Sequence, residues 1–252
     1  MRQDSAEAVQ ALFAHLLTQP LHREVTQDAT AAVRLNCDAA AAQLIEGLNE
    51  NHLRIASHQV RAGRKHRLLR IVPLSIASLG DVGEPIIEEY LDVPLEAGDR
   101  ANRATNDALR FAAHLQRLPG VAVSYGDVCR FEALLRDVAG RFLLSRGEKA
   151  VGQCPRLSTL AEVARFGHKA ADGYDRIRQG EPIDELPARV TRYVFACRSG
   201  RVVVHEVSAP IALVLEACTG SRKPADLADL CGVRAASVES ILAWADGHSL
   251  LT

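Results

Sequence analysis

No C-x-x-C pair, H-E-x-x-H, G-x-S-x-G, P-loop or G-x-G-x-x-G motif occurs anywhere in the 252 residues. Metal and catalytic sites need ligands or nucleophile–base pairs at defined spacing, and these motifs are the commonest ways to supply it. The six cysteines (37, 129, 154, 197, 218 and 231) are scattered, as are the nine histidines. Cys37, Cys129, Cys197 and Cys218 sit in apolar patterns and read as small buried hydrophobes. No apolar run approaches the roughly 18–20 residues of a membrane span. The first residues, Met1-Arg-Gln-Asp-Ser-Ala-Glu7, lack the basic start and apolar stretch of a signal peptide. A formal net charge of −1 gives no general pull toward nucleic acid or anionic membrane. These absences point to a cytoplasmic protein with no catalytic residue and no metal ligand of its own.

What is present is a chain with 48% hydrophobic residues, enough for a full core in one large or two small domains. To about residue 145 the pattern is helical. Val33, Cys37, Ala40, Ala41, Leu44, Ile45 and Leu48 make one stripe over residues 29–49. Asn49-Glu-Asn51 then suggests a break. Leu68 to Leu79 is apolar, and Pro73 inside it either kinks that helix or begins another. Gly83-Glu-Pro-Ile-Ile-Glu-Glu-Tyr-Leu91 suits a short helix with Pro and acid in its first turn. Residues 104–118 align Ala108, Phe111, Ala112 and Leu115, and Pro119-Gly120 ends them. Asp127 is placed to cap a further helix running to Phe142. The expectation is a helical bundle of five or six members.

The polar stretch 145–155 marks a boundary, giving domains of 1–150 and 151–252. After it, residues 160–168 are ambiguous: Thr159 with Glu162 matches a capping box, whereas a third strand would stabilise the hairpin that follows. A strand is preferred, then a helix over 170–179. Residues 189–198 and 201–207 are β-rich and separated only by Ser199-Gly200, a two-residue hairpin signal. Helical stretches follow at 209–218, 224–230 and 235–251. The fold class expected is α+β: an N-terminal helical bundle, then a winged-helix-like domain with a small antiparallel sheet.

In a winged helix the third helix would read DNA. Here residues 235–248 hold Glu239 and Asp246 and no Lys or Arg. DNA affinity comes largely from cations meeting phosphates, so this helix would be repelled. The same scaffold has another use, because an exposed strand edge beside a helix can take an extended peptide as an added strand. The candidate peptide-binding residues are Val202, Val203, Val204, His205, Glu206 and Val207 on the strand, with Val238, Leu242 and Ala245 on the helix. One face of the strand is expected on the helices and the other more exposed. His205 reads as a surface histidine; Trp244, the only Trp, is core or groove floor.

A basic run is the remaining charge feature. Arg54, Arg61, Arg64, Lys65, Arg67 and Arg70 lie in seventeen residues without an acid, followed by Asp81, Glu84, Glu88, Glu89 and Asp92. It is either a solvated face partly neutralised by the acidic helix or a docking surface for an acidic partner, with Arg61, Arg64 and Arg67 as its candidates. RNA fits poorly, since no aromatic residue interleaves the run.

Residues 206–230, with the turn Thr219-Gly220-Ser221-Arg222-Lys223 and the close Asp246-Gly-His-Ser-Leu-Leu251, resemble the RiPP recognition elements of ribosomal-peptide biosynthesis, the type seen in the pyrroloquinoline quinone chaperone. Asp107-Ala-Leu-Arg-Phe-Ala-Ala-His-Leu115 and Asp127-Val-Cys-Arg-Phe-Glu132 are similar to the companion subunits of TIM-barrel, multinuclear non-haem iron enzymes, as in methanobactin or 3-thiaglutamate biosynthesis. The resemblance implies a non-catalytic subunit that binds a precursor's leader and forms a heterodimer with the barrel enzyme. Iron would belong to that partner and no cofactor to this chain. The cysteine-containing core of the precursor would be the oxidised substrate. The competing readings are a winged-helix transcriptional regulator with a helical sensor domain, and a free-standing enzyme using scattered Cys and His residues.

Overall fold

A computed structural model describes residues 49–93, 103–144 and 154–252. The expected helix over 29–49 and the 145–153 boundary stretch lie outside these. The described residues combine helices with a small three-stranded antiparallel sheet, an α+β composition. The chain divides into two compact units, Met1–Phe111 and Ala112–Thr252.

In the first unit, α1 (Glu50–Ile71) starts on Asn49, whose side chain accepts from the N–H groups of Asn51 and His52. Pro73 opens a new helix, α2 (Pro73–Ser78), rather than kinking the old one. Its ring removes the N–H that would continue α1 but costs nothing at a first turn. A 3-10 turn leads to α3 (Gly83–Leu91), and α4 (Arg103–Leu115) begins in this unit. Leu68, Val72, Ile87, Tyr90, Leu91, Ala108 and Phe111 are buried together with one cation, Arg64, which is 1% exposed. Arg64 Nε and Nη2 donate to the Asp107 carboxylate at 3.2 and 2.9 Å, and Nη1 donates to the carbonyls of Leu91 and Val93. Tyr90 donates its hydroxyl to Asp107 Oδ1 at 2.6 Å, and the Arg64 guanidinium lies over the Tyr90 ring. Burial, then the Asp107 charge, pushes the Tyr90 phenol far above its ordinary range. The four-way bonding explains how a charge survives in an apolar interior.

The second unit is built around the sheet. β1 (Ala161–His168), β2 (Ala188–Arg198) and β3 (Arg201–Glu206) run in the order β1-β2-β3, so the strand preference for 160–168 holds. Ser199 and Gly200, with φ of 50° and 78°, supply the two left-handed residues that a tight hairpin turn needs. On one face Phe166, Tyr193 and Phe195 pack edge-to-face against Phe131 of α5 (Val123–Leu144), and Tyr174 of α6 (Ala170–Arg178) joins them. On the other, Ala161, Val194 and Ala196 form a core with Leu215 of α7 (Ala209–Ala217) and Ala245 of α9 (Ala235–Gly247). Val214 of α7 and Leu227 of α8 (Pro224–Cys231) extend it.

Three expectations are corrected here. Both faces of the sheet carry helices, because α5 packs on the sheet face opposite α7–α9; it belongs to this unit and not to the first. Asp127 does not cap α5, which starts four residues earlier. Asp127 instead takes the N–H groups of Gly167 and His168, the His168 Nδ1–H and the Gln116 amide, pinning the end of β1. The third C-terminal helix ends at Gly247, not 251. Leu250 turns into the core, and Leu251 and Thr252 pair with the extended segment at Arg156–Leu157. No helix among the described residues is long and apolar enough to cross a membrane.

Candidate functional site: an open strand edge beside α9

The direction of each backbone group in the sheet follows from two bonds. The Val207 N–H donates to Arg192 O, and the Cys197 N–H donates to Leu160 O on the β1 side. Antiparallel partners alternate between bonded and non-bonded pairs. With Cys197 opposite Val202 and Ala196 opposite Val203, residues 201, 203 and 205 therefore bond to β2. The N–H and C=O groups of Val202, Val204 and Glu206 point away from it, and no strand lies beyond β3 among the described residues. β1 also borders the sheet, yet its edge is partly occupied. By the same alternation Ala161, Val163 and Arg165 face outward there. The Ala161 N–H is taken by Ser158 O, and Arg165 O accepts from the Arg130 guanidinium. β3 offers the cleaner edge.

On the sheet face that α9 covers, Val203 and a cluster of three rings border that edge, while Glu206 pairs with Arg189 at 3.7 Å. Val203 is 42% exposed, on the sheet face that α9 covers. His205 follows on the same face and meets Trp244 and His248 of the α9 end, with ring centres at 5.6 and 4.8 Å. Trp244 and His248 lie 4.7 Å apart and are tilted by 35°. The His248 Nδ1–H donates to Trp244 O at 2.7 Å, where a helix end needs a donor. Trp244 packs against the core while staying partly exposed. His205 is not a free surface histidine; it is half-buried among rings.

The helix residues assigned to peptide binding fare differently. Val238 and Ala245 are fully buried in the two cores, and Leu242 is half-buried against the α7–α8 core. Trp244 and His248 stand where those three were expected. The 3.6-residue period puts 238, 241 and 245 on the inward face and turns 244 and 248 toward β3. His248 was legible only as part of the closing Gly-His-Ser-Leu-Leu stretch, with no sign of its ring contacts.

No family model matches this sequence, and no curated protein does. The site is therefore read from geometry alone. Among the described residues no group of three or more His, Cys, Asp or Glu side chains could hold a metal ion. Cys129, Cys197 and Cys218 are buried and Cys154 and Cys231 partly so, and no disulfide joins any of the five among the described residues. Burial pushes the Cys218 thiol up to about 11, the opposite of an activated nucleophile.

The basic run separates into internal and external members. Arg64 is unavailable for docking because it is buried on Asp107. Arg61 pairs with Glu88 at 3.0 Å and with Asp92, and Lys65 pairs with Glu88 and Glu84 of α3. Arg67 is half-buried, while Arg54 and Arg70 are exposed. Of the six cations, Arg61 and Lys65 are thus paired by the acidic segment after the run.

A pH dependence follows from His205. Burial first, and His248 second, hold its pKa below the ordinary value. The unfolded chain takes up that proton below about pH 6.5 while the fold resists. His205 thus favours the fold at neutral pH, and that contribution declines as pH falls through about 6.5 toward the lower folded value. Urea midpoints between pH 7.5 and 5.5 should fall less in His205→Phe than in the native chain. Equal slopes would contradict this.

Proposed function

We propose that this chain is the non-catalytic subunit that binds the leader of a ribosomally made precursor peptide and presents its cysteine-containing core to an iron-dependent oxidative enzyme. The observation that carries the reading is the open β3 edge, with Val202, Val204 and Glu206 turned outward beside α9. An extended leader would add as a fourth strand, its backbone bonding to those residues and its alternate side chains resting near Val203, His205, Trp244 and His248. Main-chain bonds give affinity with little demand on sequence, and the ring cluster adds selectivity.

The finer architecture belongs to the same proposal. Three strands, with α6 between the first two, and then three helices in residues 154–252 are compatible with a winged-helix-like recognition element, to which α5 would add a further layer on the sheet. The first unit would dock a TIM-barrel iron subunit as a heterodimer, using Arg54 and Arg70 as the exposed members of the basic run. The regulator reading gains no support from α9, whose exposed residues include Glu239 and Asp246 and no cation. The scattered-residue enzyme gains none from the thiols.

Co-expression with a barrel enzyme and a short cysteine-containing peptide encoded beside this chain tests the proposal. The expected result is an equimolar complex with the enzyme, and peptide oxidation only when this chain is present. The chain purified alone should carry no near-equimolar iron. Undiminished oxidation without this chain would overturn the reading, as would stoichiometric iron in the chain alone.

A further inference from the structure

The His205–His248 pair has a geometry that peptide capture does not require. Its ring centres are 4.8 Å apart and nearly perpendicular, at 85°. Two imidazoles sharing one tetrahedral divalent ion, with nitrogens about 2.0–2.1 Å from the metal, bring their ring centres to roughly 5 Å. The tautomer of His248 is fixed. Its Nδ1–H is spent on Trp244 O at 2.7 Å, so Nε2 keeps its lone pair. A ring N–H bonded to a backbone carbonyl is the support that metal-binding histidines commonly have. The His205 ring makes no hydrogen bond among the described residues, and both rings are partly exposed, so an ion can reach them from solvent.

We infer that His205 and His248 form a two-imidazole site for an exchangeable divalent transition-metal ion of the borderline class, Ni2+, Cu2+ or Zn2+, with water completing the coordination. Imidazole ligands favour these ions over Fe2+, Mg2+ or Ca2+. Two neutral ligands without thiolate or carboxylate hold the ion loosely enough for a chelator to strip it. Such a site is compatible with a chain that carries no iron as purified. It stands apart from the peptide reading, because its test needs neither leader nor partner enzyme.

Trp244, the only tryptophan, lies 4.7 and 5.6 Å from the two rings and reports on the site directly. The experiment titrates the full chain with NiCl2, following Trp244 emission, since bound paramagnetic Ni2+ quenches indole. The expected result is saturable quenching with one ion per chain, reversed by EDTA and displaced by Zn2+, which does not quench. His205→Phe keeps a ring against Trp244 but removes the ligand nitrogen, and should raise the midpoint at least tenfold. His248→Ala should do the same, while His58→Ala on α1 should leave it unchanged. Quenching that is absent or linear in Ni2+ would overturn the site. So would a midpoint unchanged in His205→Phe with native circular dichroism.

Discussion

Asp107→Ala is expected to destabilise the first unit by about 3–5 kcal/mol, the range for removing one partner of a buried ion pair. The carboxylate accepts from Arg64 twice and from Tyr90 once, and both charged side chains are 1% exposed. Its loss leaves a guanidinium in an apolar interior with only two carbonyls. Urea unfolding followed at 222 nm would record the loss. Arg61→Ala is the control, since its partners Glu88 and Asp92 are about half-exposed and such pairs contribute about 0–1 kcal/mol. Replacing Arg64 and Asp107 together by Met and Leu should recover much of the loss, because the cost lies in the unpaired charge more than in the missing attraction. An Asp107→Ala chain within about 1 kcal/mol of native would show that the pair is not desolvated as described.

The second large effect separates capture from folding. Val204→Pro should lower leader affinity at least tenfold, about 1.4 kcal/mol, with little change in stability. The N–H it removes points out of the sheet, and proline is tolerated on edge strands in that orientation. Val203→Pro removes an N–H bonded to β2 and should instead weaken the sheet itself, by roughly 1–3 kcal/mol. The two substitutions are adjacent and chemically alike, so their opposite outcomes would reflect backbone direction alone. Equal loss of leader binding and equal loss of stability in both would contradict the alternation. A groove substitution at Ala245 is not informative, since that residue is in the core.

What the sequence made legible was local. Ser199-Gly200 specified the hairpin because a two-residue loop takes a type I′ or II′ turn, whose positive φ glycine adopts without strain. Pro224 opened the helix expected at 224–230, where a ring that cannot donate is harmless, whereas Pro73 left a kink and a new start both open until α2 was seen to begin there. The hydrophobic pattern located α7 and α8 nearly to the residue. What stayed hidden depended on partners distant along the chain. Asp127 carries a capping residue's chemistry, but its donors are Gly167 and His168, forty residues on. Arg64 looked like its exposed neighbours until Asp107 was brought beside it. Within α9 the choice between 242 or 245 and 244 or 248 was one of helix phase, and an apolar helix with Ala and Leu on several sides does not declare its phase. The ring cluster was missed for the same reason.

Backbone amide exchange along β3, measured residue by residue with and without leader peptide, tests the central claim most directly. Without peptide, Val203 and His205 should already exchange slowly, and Val202, Val204 and Glu206 fast. Saturating leader should slow the second group selectively and leave the first nearly unchanged, an alternation that only an added strand produces. Protection that appears instead along Ala161–Arg165 of β1, or in neither strand while leader binds, would contradict capture at this edge.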